Sequence, residues 1–125
     1  MQLPFQPERL RMTSSPVRGP IRDLGVSEIR AGLADGSITL VDVREPQEVA
    51  NGVIPGSISM PLSRFQPSAL PVKDGRQLVF SCAAGVRSRI AVEACRAAGL
   101  DVDAHFAPGF KGWLAAGGEV APLSS

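Results

Sequence analysis

Two short, nearly unbroken apolar runs constrain this chain more than anything else in it: ITLVDV, residues 38–43, and LVFSC, residues 78–82. A strand with one face in water alternates apolar and polar residues. A strand covered on both faces, as in a parallel sheet, reads as a continuous run. Segments with helical spacing lie around these runs. In the first, Ser27 is the expected N-cap, Glu28 suits the opening turn, Ile29 and Leu33 share a face, and Asp35-Gly36 ends the helix. Residues 45–52 predict a short acidic helix with Pro46 in its first turn, where a missing N–H costs nothing. Residues 86–98 predict the best helix, with Ala91, Ala94, Cys95 and Ala98 on its apolar stripe and Gly99 as its stop. Weaker strands are expected over 58–60 and 102–107, a helical turn plus loop over 62–70, and a last helix over 110–116. Strands alternate with helices, so the expected fold is α/β, with a central, mostly parallel sheet of about five strands flanked by helices.

A chain of 125 residues makes one domain. Residues 1–20 are rich in Pro, Arg and Ser without any period, and are expected to form an extended or disordered arm ahead of a domain over 21–125. A net charge of +1 gives no pull toward nucleic acid or an anionic membrane, and neither is expected as a partner. No apolar run approaches the ~20 residues of a spanning helix. The N-terminus lacks the h-region of a secretory signal, so a cytoplasmic location is expected. Two cysteines make no disulfide framework, and with a single histidine they are poor material for zinc. No metal or organic cofactor is expected.

Cys82 closes the second apolar run and opens the loop SCAAGVRS, which feeds the best helix. In an open parallel sheet, ligands bind beyond the C-terminal strand ends, where Cys82 stands. Successive backbone N–H groups in such a turn form an anion-binding nest, and the helix start adds about half a positive charge. Arg87 adds a full one, Gly85 permits backbone angles that a Cβ resists, and Ser88 offers a hydroxyl. A thiolate is stabilised there, so the Cys82 thiol is expected below its ordinary value. Two chemistries use a nucleophile inside an anion receptor: phosphoryl transfer through a cysteinyl phosphate, and sulfur transfer through a cysteine persulfide. Cysteine phosphatases resemble one another in a C-x5-R loop. Here the arginine follows one residue sooner, at Arg87, and Ser88 takes its place. The tighter loop suits a smaller group on the cysteine.

Three stretches together resemble the single-domain rhodaneses, thiosulfate-type sulfurtransferases: LVDVREPQEVANGVIPGSISMPL, LVFSCAAGVRS and APGFKGWLAAG. The resemblance implies a rhodanese-like fold and a role for each matching residue. Cys82 would attack the outer sulfur of a donor and carry it as a persulfide. Backbone N–H groups of Ala83, Ala84, Gly85, Val86, Arg87 and Ser88 would cradle that sulfur. Arg87 would orient a small anionic donor and stabilise departing sulfite. The acceptor would be a thiol, cyanide in an assay, or a sulfur-carrier protein. Asp42 and Arg44 match the family's D-x-R and are expected to be structural or at the pocket rim, with Arg64, Phe110 and Trp113. The family commonly carries histidine where this chain has Val53, which bears on fine structure rather than on the reaction.

Other roles are weighed against these. Cys95 is expected to pack in the core. His105, the only histidine, is expected at a surface or rim, because a preformed thiolate needs no base. Arg89 reads as a solvated helix charge. The competing functions are a non-catalytic binding or sulfur-sensing module and a cysteine-dependent phosphatase or arsenate reductase.

Overall fold

The structure is a computed structural model and describes residues 19–72 and 75–123. The proposed N-terminal arm therefore lies outside the described residues except for Gly19 and Pro20. Strands β1 (Arg22–Leu24), β2 (Ile38–Asp42), β3 (Ile58–Ser59), β4 (Gln77–Ser81) and β5 (Ala104–Phe106) form one sheet in the order β1-β5-β4-β2-β3. Every pair is parallel. Helices α1 (Val26–Asp35), α2 (Pro46–Val49), α3 (Val86–Ala97) and α4 (Gly109–Ala115) connect and cover it.

β2 and β4 lie side by side at the centre, with Leu40 opposite Val79 and Val41 opposite Phe80. All of β2 is buried, as a run covered on both faces must be. Strand alternation then divides the core in two. Leu40, Val79 and Phe106 face α1 and α4 with Ile29 and Trp113. Val41, Phe80 and Cys82 face α3 with Ala91, Val92 and Cys95.

Several boundaries differ from the sequence expectation. Strand β1 was not expected: it has three residues, RDL, and only Leu24 is buried. Helix α1 begins two residues early, capped by Gly25 rather than Ser27, and the Glu28 carboxylate accepts the Gly25 N–H at 2.9 Å. Helix α2 is a single turn, and residues 62–70 form two 3₁₀ turns, Leu62–Arg64 and Pro67–Ala69. The buried stripe of α3 is Ser88, Ala91, Val92 and Cys95, rotated from the predicted one, and Ala98 is exposed beyond its end. Val53 is buried and pairs with Ala121 in an antiparallel bridge that ties the C-terminal segment back to the domain.

Candidate active site

The loop after β4 turns at Gly85, whose φ of 93° lies in the left-handed region, and α3 begins at the next residue. A side chain there would also strike the carbonyl of Ala107. The loop's outward carbonyls are held by the start of α4: Phe110 N–H donates to the Cys82 carbonyl at 2.7 Å, and Lys111 N–H to that of Ala83 at 3.0 Å. This contact needs Gly109, where a Cβ would lie 2.6 Å from the Ala83 carbonyl carbon. With the carbonyls turned out, the N–H groups turn in. Gly85 and Ser88 N–H donate to Cys82 Sγ at 3.1 and 3.3 Å, and Ser88 Oγ lies 3.5 Å away. The Ser88 N–H is one of the first-turn donors that a helix cannot satisfy internally.

Cys82 is 1% exposed. Burial alone would raise its thiol. Hydrogen bonds from the Ser88 hydroxyl and from backbone N–H groups outweigh it, and the thiol lies below its ordinary value. Cys95, also buried and with burial as the sole influence, is pushed up to about 11. Its place in the core agrees with expectation.

Arg87 is not a free anion receptor. Its guanidinium makes a two-pronged ion pair with Glu48 of α2, at 2.6 and 2.9 Å. That contact holds the Glu48 carboxyl down at about 2. Hydrogen bonds in the loop are what chiefly lower the Cys82 thiol, and Arg87 ties the loop to α2. Ala83 is half-buried, and Ala84 and Val86 are exposed at the loop surface. Arg64 lies exposed on its 3₁₀ turn.

Asp42 and Arg44 form a buried pair, with Arg44 Nη2 2.8 Å from Asp42 Oδ2 and 2.9 Å from the Gly52 carbonyl. The guanidinium sits 4.0 Å over the Phe110 ring, joining the start of α4 to the turn after β2. Trp113 packs edge-on against Phe106 on the other face of the sheet and belongs to the core.

His105 departs most from expectation. It is 3% exposed rather than at a rim. Its Nδ1 lies 2.8 Å from Ser88 Oγ and its Nε2 2.9 Å from Asp23 Oδ1. Alternation along β5 turns Ala104 and Phe106 toward α4 and His105 toward α3, and Asp23 stands opposite it in β1. The sequence signal was the single polar residue in the apolar triplet AHF. Its partners come from segments distant in the chain.

The fold and the site define a parallel α/β domain that presents a buried cysteine in a nest of N–H groups at a strand end. The model of the rhodanese-like domain matches residues 25–116, and the chain belongs to that family. A Synechocystis protein described as uncharacterized is 40% identical over 81 residues, covering 65% of this chain and 45% of its own length. The chain thus spans about half of that relative. A human thiosulfate:glutathione sulfurtransferase is 30% identical over 105 residues, covering 73% of this chain and 91% of its own. Among solved structures, a Rhodopseudomonas palustris protein of unknown function, described as a possible tyrosine phosphatase, superposes with a TM-score of 0.69. It is 30% identical, over 81% of this chain and 85% of that one.

Proposed function

We propose that the protein is a sulfurtransferase that moves a sulfane sulfur from thiosulfate or a related small anion to a thiol acceptor through a persulfide on Cys82. The carrying observation is the Sγ position, 3.1 and 3.3 Å from two inward N–H donors at a strand-end loop, with the thiol below its ordinary value. The thiolate attacks the outer sulfur of thiosulfate; the S–S bond breaks and sulfite leaves with the electron pair. The new terminal sulfur carries the negative charge toward the nest. An acceptor thiolate then attacks that sulfur, and Cys82 leaves as thiolate. No metal or organic cofactor takes part. Family membership and the name of the human relative support this reading. In it, Arg87 meets the departing sulfite at the loop edge while still anchored by Glu48. The setting is a reducing, cytoplasmic one, in which both cysteines stay free thiols.

The test is intact mass before and after thiosulfate. Wild type gains one sulfur atom, cyanide removes it, and Cys82→Ser never acquires it. Absence of the gain with thiosulfate and with a panel of persulfide donors would end the proposal. The description of the R. palustris neighbour favours one competitor, a phosphatase. Turnover of a phosphate ester, blocked by vanadate, would install it instead.

A further inference from the structure

From the buried thiol a continuous file of polar atoms runs to the protein surface: Cys82 Sγ, Ser88 Oγ at 3.5 Å, His105 Nδ1 at 2.8 Å, and from Nε2 to Asp23 Oδ1 at 2.9 Å. Cys82, Ser88 and His105 are buried, while the Asp23 side chain is 63% exposed. A histidine is an expensive group to place inside a core. Nothing in the persulfide step requires one.

We propose that Ser88 and His105 form a proton relay that accepts the Cys82 proton inside the protein and returns it, with Asp23 holding the imidazolium. The proposal rests on Cys82 being the reactive group of the sulfur-transfer reading.

Hydrogen counting carries it. Ser88 Oγ has one proton to give. When neutral His105 donates Nε2–H to Asp23, its Nδ1 is an acceptor and takes the Ser88 proton. Ser88 Oγ can then only accept, and its donor is the Cys82 S–H. In the other state the S–H bond breaks and its proton joins Ser88 Oγ, while the original Ser88 proton passes to His105 Nδ1. Ser88 now donates to the thiolate, and His105 donates from both nitrogens, to Ser88 and to Asp23. No atom in the file loses its partner in either state, and no proton enters or leaves. The product is a thiolate with an imidazolium one hydroxyl away.

Among the described residues, the charged groups around His105 are few. Asp23 faces it from β1, and Arg89 of α3 approaches Asp23 at 3.8 Å. Asp103, two residues back along the chain, is paired with Arg22. On the β4 side its register partner is the apolar Phe80. Asp23 is therefore the anion that holds the imidazolium in place, and Arg89 limits how strongly it does so.

In this scheme His105 is a positioning residue, acting on sulfur through Ser88. The measurement is the pH dependence of Cys82 alkylation by iodoacetamide, read by mass on the Cys82 peptide. His105→Gln is expected to move the profile to higher pH, lowering the rate on its acid limb by on the order of tenfold per unit of displacement. Ser88→Ala is expected to displace it as far, and Ser88→Thr, which keeps the hydroxyl, to restore it. The Ser88→Ala/His105→Gln double variant is expected to be no worse than Ser88→Ala, because groups acting in series are not additive. Asp23→Ala, at an exposed position that leaves the core intact, is expected to give a smaller displacement in the same direction. Should His105→Gln fail to fold, the Asp23 and Ser88 variants decide. An unchanged profile in the Asp23 and His105 variants, or strict additivity in the double variant, would overturn the relay. Failure of sulfur loading with an intact alkylation pattern would instead strike the sulfur-transfer reading and leave the relay standing.

Discussion

The two cysteines form an internal comparison that composition could not supply. Both are free, both lie in the core layer between α3 and the sheet, and both are essentially inaccessible, at 1% and 0% exposure. Yet one thiol lies below its ordinary value and the other is pushed up to about 11. Burial, the one influence they share, works against ionisation in each. What separates them is the company of the sulfur. Cys95 sits in the last turn of α3, where the backbone N–H groups are committed to the helix itself. Cys82 sits where a helix begins, where such groups are unclaimed. The acidity of the thiol here thus follows the hydrogen bonds that meet the sulfur, from the Ser88 hydroxyl and the loop backbone, more than residue type or exposure.

The largest expected effect breaks the pair apart. Cys82→Ser is expected to abolish sulfur loading, while Cys95→Ala loads at the wild-type rate, both read by intact mass. Equal loss in the two variants would place the chemistry in the core rather than in the loop. Next in size is the geometry that distinguishes them. Gly85→Ala puts a Cβ at a φ of 93° and against the Ala107 carbonyl. Such strain costs about 1–3 kcal/mol. The loop then re-aims its donors, and alkylation of Cys82 at neutral pH is expected to fall at least about tenfold, since small misplacements are costly in a preorganised site. Wild-type reactivity in that variant would mean that the nest does not set the acidity.

The Cys95 side of the comparison is sharpened by pH. An acid whose folded value is raised binds more protons folded than unfolded, so stability is lost as pH rises from the ordinary thiol value of 9.0 to about 11. Cys95→Ala removes this contribution. Its thermal midpoint is expected to start a few degrees lower at pH 7, from the lost packing. It then falls less steeply than wild type across that alkaline window, a difference that parallel melts would record.

How much of this was visible in the chain depends on how local its cause is. The runs at 38–43 and 78–82 announced a doubly covered sheet because burial on both faces is written into consecutive residues. The loop was legible because Cys82, Gly85, Arg87 and Ser88 lie within one seven-residue stretch and their geometry is that of one turn. Strand β1 was not, since RDL offers one buried side chain and owes its pairing to β5. The long-range contacts of the site have the same origin. The Arg87–Glu48 ion pair is not legible in the sequence because Glu48 stands 39 positions away, and nothing nearby foretells it. The buried site of His105 differs from the rim the sequence leads one to expect, because its partner Asp23 lies 82 positions away and becomes its neighbour only through the β1-β5 register. Sequence spacing reports what a turn will do. It does not report which turn will face it.

The smallest expected effect concerns the Arg87–Glu48 pair, and it tests whether hydrogen bonds or net charge tunes Cys82. Arg87→Ala is expected to displace the Cys82 alkylation profile less than Ser88→Ala, because the arginine's charge is already matched by Glu48 and about a third of each side chain is in water. The pair has its own signature in acid. A carboxylate held near 2 against an ordinary 4.5 contributes stability that is complete above the ordinary value and lost as pH falls from there toward 2. Glu48→Gln removes that contribution, so its melting temperature is expected to decline less between those pH values than that of the wild type, by a modest margin because solvent screens the pair. A large displacement of the Cys82 profile in Arg87→Ala, with Ser88→Ala nearly silent, would reverse the ranking. The two cysteines would then differ by a nearby positive charge rather than by the geometry of a helix start.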